Sequence, residues 1–277
     1  MPNRTARRRW ILIALATLAV GVVIVVRQAP SNDRLWIEEQ ARLPTASFAG
    51  NTVTVTDVRN WRHGEDEPLS RAYDTRTYDL DRIESVWLVL SPFGRWWRGP
   101  AHAFLSFGFE DGSFVGISVE ARKEEGESYS LLKGLARRFE IAYIVADERD
   151  LIPLRANVWG DDVYLYPVTA SRERVRALFV DMLERATALA REPAFYNTLT
   201  NNCTSVILQH VNHVAGRRVA TGWDVLLPGY IDGLAAGLGL IDGDAARADV
   251  RERYRINERS LQYADAPDYS LRIRALN

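Results

Sequence analysis

Cysteine is almost missing from this chain: among 277 residues there is one, Cys203. A lone thiol excludes an internal disulfide and a cysteine metal cluster. Histidine is scarce too, with four residues, and no His-x-x-x-His or His/Asp spacing on one element stands out, so neither a metal nor a cofactor is expected. Charge of one sign is also lacking. The formal net charge is -1, which leaves no basic footprint for nucleic acid. No glycine-rich phosphate loop follows a strand, no serine sits in a nucleophile elbow, and no internal repeat or low-complexity tract occurs. What is present is 47% hydrophobic residues, ample for a core, in a length that suits one large domain or two small ones.

The N-terminus carries an export signature. Arg4, Arg7, Arg8 and Arg9 precede an uncharged apolar run at 10–26 that Arg27 closes. At helical rise this run spans about 25 Å, near the lower limit for crossing a bilayer. The arginines stay cytoplasmic, which sends the rest of the chain across the inner membrane into the periplasm. A cleaved signal peptide has the same layout, but 22–28 offers no clear pair of small residues for cleavage. The expected organisation is therefore a basic cytoplasmic end at 1–9, a single-pass anchor at 10–26, a membrane-proximal connector at 27–47, a periplasmic domain at 48–245 and a polar surface tail at 246–277.

Periodicity within the exported part predicts a short amphipathic helix at 34–43 and strands at 51–59 and 85–90, with a polar stretch rich in Asp, Arg and Tyr at 60–82 that holds a loop at 63–68. A hairpin of strands at 101–109 and 113–121 turns on Glu110-Asp111-Gly112. Further strands are expected at 139–146, 151–154 and 163–168. Ser171 should cap a helix running to about Arg191, with Val175, Leu178, Phe179, Met182, Leu183 and Leu189 on its buried face. Helical turns follow at 223–240. Strands cluster before the long helices, an α+β layout.

The spacing predicts that Cys203 begins one of those helices, because Val206, Ile207, Val211 and Val214 recur at helical spacing after the cap residues Asn201 and Asn202. A thiol in a first turn feels the positive end of the helix dipole, which favours thiolate. Buried, inert packing is the plainer fate of a lone cysteine, so the question is whether a base lies near. In the hairpin, Ala103, Leu105, Phe107 and Phe109 share one face, and His102, Phe104 and Ser106 share the other. A loop of residues 110–112 pairs Leu105 with Ile117, Phe107 with Val115 and His102 with Glu120, and any one-residue slip would set apolar against polar faces. A carboxylate opposite an imidazole fixes its tautomer and stabilises imidazolium. An ordinary cross-strand polar pair is the plainer alternative. His210 and His213 lie about 10 to 15 Å along the helix from Cys203 and cannot reach its thiol, and His63 sits in a polar loop.

The runs Ala101-His102-Ala103-Phe104-Leu105-Ser106-Phe107-Gly108-Phe109, Ser118-Val119-Glu120-Ala121-Arg122-Lys123-Glu124, Val145-Ala146-Asp147-Glu148-Arg149-Asp150 and Tyr196-Asn197-Thr198-Leu199-Thr200-Asn201-Asn202-Cys203-Thr204 resemble the periplasmic domain family found at the N-terminus of the Bacteroides lipoprotein N-acyltransferase Lnb. The likeness extends from about Val53 to Leu240. It implies a circularly permuted papain-like (NlpC/P60-like) thiol fold in which histidine precedes cysteine, with Cys203 as nucleophile and His102 as base. Glu120 as third member rests on the strand register alone. Asn201, Asn202 and Thr204 flank the thiol as oxyanion or supporting groups, through the amides that open the helix.

The loop before His102 departs from the family in being bulkier and more basic. There, Trp96 and Trp97 between Arg95 and Arg98 have the make-up of an interfacial lipid contact, or of two indoles covering the end of the core. The resulting expectation is a thiol acyltransferase acting on a membrane lipid or lipoprotein ester. A cell-wall or peptide amidase would use the same pair. A non-catalytic envelope binding module would instead leave His102 out of the thiol's reach.

Overall fold

Residues 101–109 are all buried although successive residues of a strand point to opposite faces, which requires a sheet covered on both sides. The computed structural model describes residues 8–13, 29–65, 67–93, 99–216, 228–245 and 247–275. Ten strands are present among them: β1 (Thr45–Ala49), β2 (Thr52–Arg59), β3 (Arg62–His63), β4 (Pro68–Ser70), β5 (Tyr73–Asp79), β6 (Ile83–Pro92), β7 (Ala101–Phe109), β8 (Phe114–Arg122), β9 (Glu140–Asp147) and β10 (Tyr164–Pro167). The main sheet has eight strands in the order β1-β2-β9-β8-β7-β6-β10, with β5 also pairing β2. Its ladders are antiparallel apart from one parallel contact, Arg59 with Ala146, between β2 and β9. The α+β layout expected from the sequence is present.

The helices are α1 (Leu131–Leu135), α2 (Glu148–Pro153), α3 (Arg172–Arg191), α4 (Cys203–Ala215), α5 (Ile231–Gly237) and three short C-terminal turns, α6 (Ala248–Arg251), α7 (Asn257–Gln262) and α8 (Tyr269–Arg272). On one face of the sheet, α3 and α4 bury Val175, Leu178, Phe179, Met182, Val206 and Ile207 against Ala103, Leu105, Phe107, Val115 and Ile117. On the other, Phe104, Val89 and Ile144 meet Leu151, Ile152, Ile256, Tyr269 and Ile273. This two-sided cover leaves every residue of β7 buried. The β7–β8 register pairs Leu105 with Ile117 and Phe107 with Val115, as the alternation required.

Three expectations are corrected. The connector holds no helix at 34–43. A 3-10 turn at Glu38–Gln40 is all that forms there, because the chain from Ser31 onward is already bound to the domain. The Ser31 amide donates to Glu140, Arg34 bridges Glu124 and Glu140, and Trp36 lies under the Arg122 guanidinium at 4.1 Å. The polar stretch 60–82 holds three strands that the periodicity does not predict: β3 and β4 pair with each other on either side of the loop, and β5 pairs β2. Residues 151–154, expected as strand, belong to α2 and to a π-helical turn at Leu154–Val158. Asp147 caps that helix by accepting from the Arg149 amide, and a short apolar run does not by itself tell strand from helix. Finally, the polar tail is not a surface tail: α7, α8 and their flanks close the second face of the sheet with fully buried Tyr269 and Ile273.

The apolar run 10–26 lies for the most part outside the described residues, of which 8–13 are helical. Among the described residues no helix is long and apolar enough to cross a membrane. The loop residues Arg95, Trp96, Trp97 and Arg98, and residues 217–227 of the expected 223–240 turns, also lie outside the described residues.

Arg274 ties the C-terminal cover to the sheet. Its guanidinium meets the Glu148 carboxylate at 2.5 and 2.7 Å, the side chains being 6% and 1% exposed. Replacing Arg274 with alanine leaves Glu148 buried without its cation, which costs about 3–5 kcal/mol. Chemical denaturation of the Arg274→Ala protein should show a correspondingly lowered midpoint. An unchanged midpoint would mean that the C-terminal turns are not part of the cooperative fold.

Candidate functional site

A helix N-terminus meets a strand start here. Asn202 accepts from the Ser205 amide at 2.8 Å, and the Ser205 hydroxyl accepts from the Asn202 amide at 2.8 Å, a reciprocal capping box. Cys203 is therefore the first residue of α4. Upstream, Asn197 Oδ1 accepts from the amides of Leu199 and Thr200, which coils the approach to the cap. Cys203 belongs to the helix-side core together with Ala103, whereas His102 stands on the opposite strand face, its ring 6.0 Å from that of Phe104. The two faces meet at the beginning of β7. There His102 and the Ala103 backbone, which stands between the two faces, come near enough to Cys203 to favour its thiolate.

His102 Nε2 lies 2.7 Å from Ser118 Oγ and 3.2 Å from Glu120 Oε1. Ser118 Oγ in turn donates to Glu120 Oε1 at 2.7 Å, and Arg155 Nη2 donates to the same oxygen at 3.0 Å. With Nε2 committed to this side, Nδ1 is the nitrogen left for the thiol. The sequence register put Glu120 opposite His102, and the two side chains do meet. It did not identify Ser118, although that residue shares their face by strand alternation. Nor did it identify Arg155, which the π-helical turn presents between the rings of Phe104 and Trp159 at 5.1 and 5.5 Å.

The charges settle as an ion pair. Burial disfavours a charged His102 and Arg155 opposes it, but the Glu120 carboxylate and the thiol hydrogen bond outweigh both, raising the imidazole to about 9. Burial pushes the Cys203 thiol up, yet the His102 hydrogen bond and charge, aided by the Ala103 backbone, bring it below its ordinary value. Glu120 is desolvated but held well below the carboxylate range by His102, Arg155 and Ser118. A thiolate facing an imidazolium is a nucleophile with a proton donor beside it.

The supporting residues divide. Asn201 Nδ2 donates to Phe195 O and Asn202 Nδ2 to Thr198 O, while their backbone amides donate to Asn197 O and Ser205 Oγ. Each asparagine thus gives its backbone amide and one of its two side-chain hydrogens to the turn that precedes the helix. Thr204 is buried, its hydroxyl 4.0 Å from the thiol. The remaining histidines are elsewhere. His210 bonds Tyr143 and Asp181, exposed His213 bonds Asp181, and His63 is buried against Asp150 rather than free in a loop.

Cys203, His102 and Glu120 open into a cleft of about 210 Å³, rimmed by Phe93, Tyr129 and Trp159. Glu120, Lys123, Arg155 and Trp159 are shared with a second groove of about 250 Å³ that includes Arg59, His63 and Glu67. Behind α4, Thr204, Ile207, Leu208 and Val211 line a small apolar cavity of about 60 Å³ against Leu88, Leu105 and Leu234. Among the described residues no group of three or more histidine, cysteine or acidic side chains could hold a metal ion.

A family model, the Lnb N-terminal periplasmic domain, matches residues 70–229, more than half of the chain. The match is narrower at both ends than the 53–240 likeness read from the sequence. No curated protein and no solved structure matches the chain.

Because His102 binds its proton more tightly in the folded than in the unfolded chain, its contribution to stability is complete below about 6.5 and is lost as pH rises through about 9. The same proton keeps the thiolate paired. Glu120→Gln removes the charge that raises His102, so the thiol returns toward its ordinary range. Alkylation of Cys203 by iodoacetamide at neutral pH should slow about tenfold for each pKa unit the thiol regains. Superimposable pH–rate profiles for wild type and Glu120→Gln would rule this coupling out.

Proposed function

The chain belongs to the Lnb N-terminal periplasmic domain family, and from that premise we propose that it is an envelope thiol acyltransferase, with Cys203 as nucleophile and His102 as its acid and base. The observation that carries this reading is that Cys203 and His102 line one open cleft, with Glu120 in contact with the imidazole. The Cys203 thiolate attacks the carbonyl carbon of a lipid or lipoprotein ester. Electrons move onto the carbonyl oxygen, and as the tetrahedral species collapses the C–O bond breaks and His102 protonates the leaving alcohol. An amine then attacks the thioester, His102 takes its proton, and the thiolate leaves. The oxyanion would sit over the helix N-terminus, where the Cys203 and Thr204 amides take no acceptor among the described residues.

An acyl substrate is favoured by the apolar cavity behind α4, which begins at Thr204, the residue after the nucleophile. The order of histidine strand before cysteine helix is that of a permuted papain-like enzyme, and we include that fold kinship in the proposal. We likewise place the apolar run 10–26 in the inner membrane as a single-pass anchor. The nearness of His102 to the thiol on one cleft wall speaks against a purely binding role. Amide hydrolysis is the second reading, favoured by the charged groove that continues from the cleft past Lys123 to Arg59 and Glu67.

Incubation with the p-nitrophenyl ester of a long-chain fatty acid should leave an acyl group on Cys203, detected by mass spectrometry of the intact protein. Cys203→Ala should carry none, and His102→Ala should acylate about a hundredfold more slowly or worse. Equal labelling of Cys203→Ala and wild type would sink the thiol mechanism. Cleavage of a peptide amide with no transfer from esters would select the second reading.

A further inference from the structure

One short segment beside the cleft is built against the usual rule. The five-residue helix α1 turns Leu131, Leu132 and Leu135 outward, at 48%, 76% and 41% exposure, and Leu199 beside them is 47% exposed. The neighbours are joined by hydrogen bonds: Thr198 Oγ1 donates to Leu131 O at 3.0 Å and Asn197 Nδ2 to Leu135 O at 3.3 Å. The close approach depends on Gly134, where a Cβ would meet the Thr198 hydroxyl at 2.2 Å. The leucines are thus held outward by a fixed backbone. Lys133, Arg137 and Arg138 are interleaved with them, Arg137 and Arg138 exposed and Lys133 43% exposed at its side chain. Tyr129, two residues before α1, is on the rim of the cleft that holds Cys203.

The entry point of the chain lies on the same side. Ser31 is anchored to Glu140 at 3.1 Å, and Asn32 donates to Leu189 and Ala190. Glu140 directly follows the α1 segment and pairs with Phe195, while Tyr196 N donates to Phe139 O. The chain therefore enters where the two leucine-bearing segments join. From Val26, the last residue of the apolar run, to Ser31 is five residues, a reach of at most about 17 Å. A tether that short cannot let the domain turn this side away from the bilayer.

We propose that the face made by α1 and Leu199 docks on the bilayer surface, its leucines among the acyl chains and Lys133, Arg137 and Arg138 at anionic headgroups. The proposal rests on the run 10–26 lying in the membrane, and not on the thiol chemistry. It makes the cleft mouth at Tyr129 open at the headgroup level, so the substrate of Cys203 is drawn from the lipid phase.

The test uses the full chain in vesicles of phosphatidylethanolamine with phosphatidylglycerol. Cys203→Ser removes the natural thiol, so a single fluorophore can be attached through Leu132→Cys, Leu199→Cys, or the distal Asp111→Cys and Leu271→Cys. Lipids brominated on the acyl chain should quench the probes at positions 132 and 199 several-fold more than those at 111 and 271. Equal quenching at all four positions overturns the docked face, as does crosslinking of Leu132→Cys between two copies, which would make the occupant a second chain. Failure of the full chain to float with the vesicles overturns the tether and the docking together. None of these readouts involves acyl transfer, so the thiol mechanism stands or falls separately.

Discussion

Glu120 is the charge on which the site depends. One oxygen of its carboxylate is shared by His102 Nε2, the Ser118 hydroxyl and Arg155 Nη2. A buried carboxylate with fewer partners would take up a proton, and His102 would then lose its reason to be charged. Arg155 has two opposed effects. It favours the ionised carboxylate, and it also disfavours the imidazolium. The imidazole stays high because Glu120 is in direct contact with it. The partners come from two strand positions and one π-helical turn, so the electrostatics of the thiol depend on the β7–β8 register and on how α2 ends.

The nucleophile is positioned by a separate mechanism. The capping box fixes where α4 starts, and the turn before it is held by the side chains of Asn197, Asn201 and Asn202. Farther along, Asp181 of α3 accepts from both His210 and His213 of α4, while Tyr143 of β9 closes on His210 at 2.6 Å. These contacts stop the helix from sliding or rolling on the sheet, which keeps its first turn pointed at His102. His210 and His213, too distant to act on the thiol, thereby orient the helix that carries it.

What could be read from the sequence follows from how local each signal is. The hairpin register was legible because both strands alternate cleanly and the turn length is short, and it carried Glu120 to His102. The start of α4 was legible from Asn202 before an apolar repeat. That Asn201 and Asn202 each turn a side-chain hydrogen to the preceding turn was not legible, because an amide side chain does not show where its donors go. Arg155 was not legible either, since its place depends on a π-helical turn that follows a run expected to be strand. The C-terminal cover was missed for a similar reason. Its buried residues, Tyr254, Ile256, Tyr269 and Ile273, are spread among charges, some of which, such as Arg274, are themselves buried in pairs. The attachment of the connector was not legible because the partners of Ser31, Asn32 and Arg34 lie more than 80 residues away.

The thiol stands at a boundary between two environments, and on the proposed reading this decides how a substrate must lie. On the helix side, the space behind Thr204 is lined wholly by carbon. On the strand side, the cleft continues past Glu120 and Lys123 into a groove walled by Arg59 and His63. A fatty ester has the same division, with an apolar chain on one side of the carbonyl and a polar alcohol on the other. Burying the chain is favourable by about 0.8 kcal/mol per methylene, while a charged headgroup would lose its hydration there. The carbonyl of such an ester is therefore drawn to the boundary between the two environments, where Cys203 stands. A peptide has no comparable asymmetry about its scissile bond, so it would occupy the charged groove and leave the apolar cavity empty.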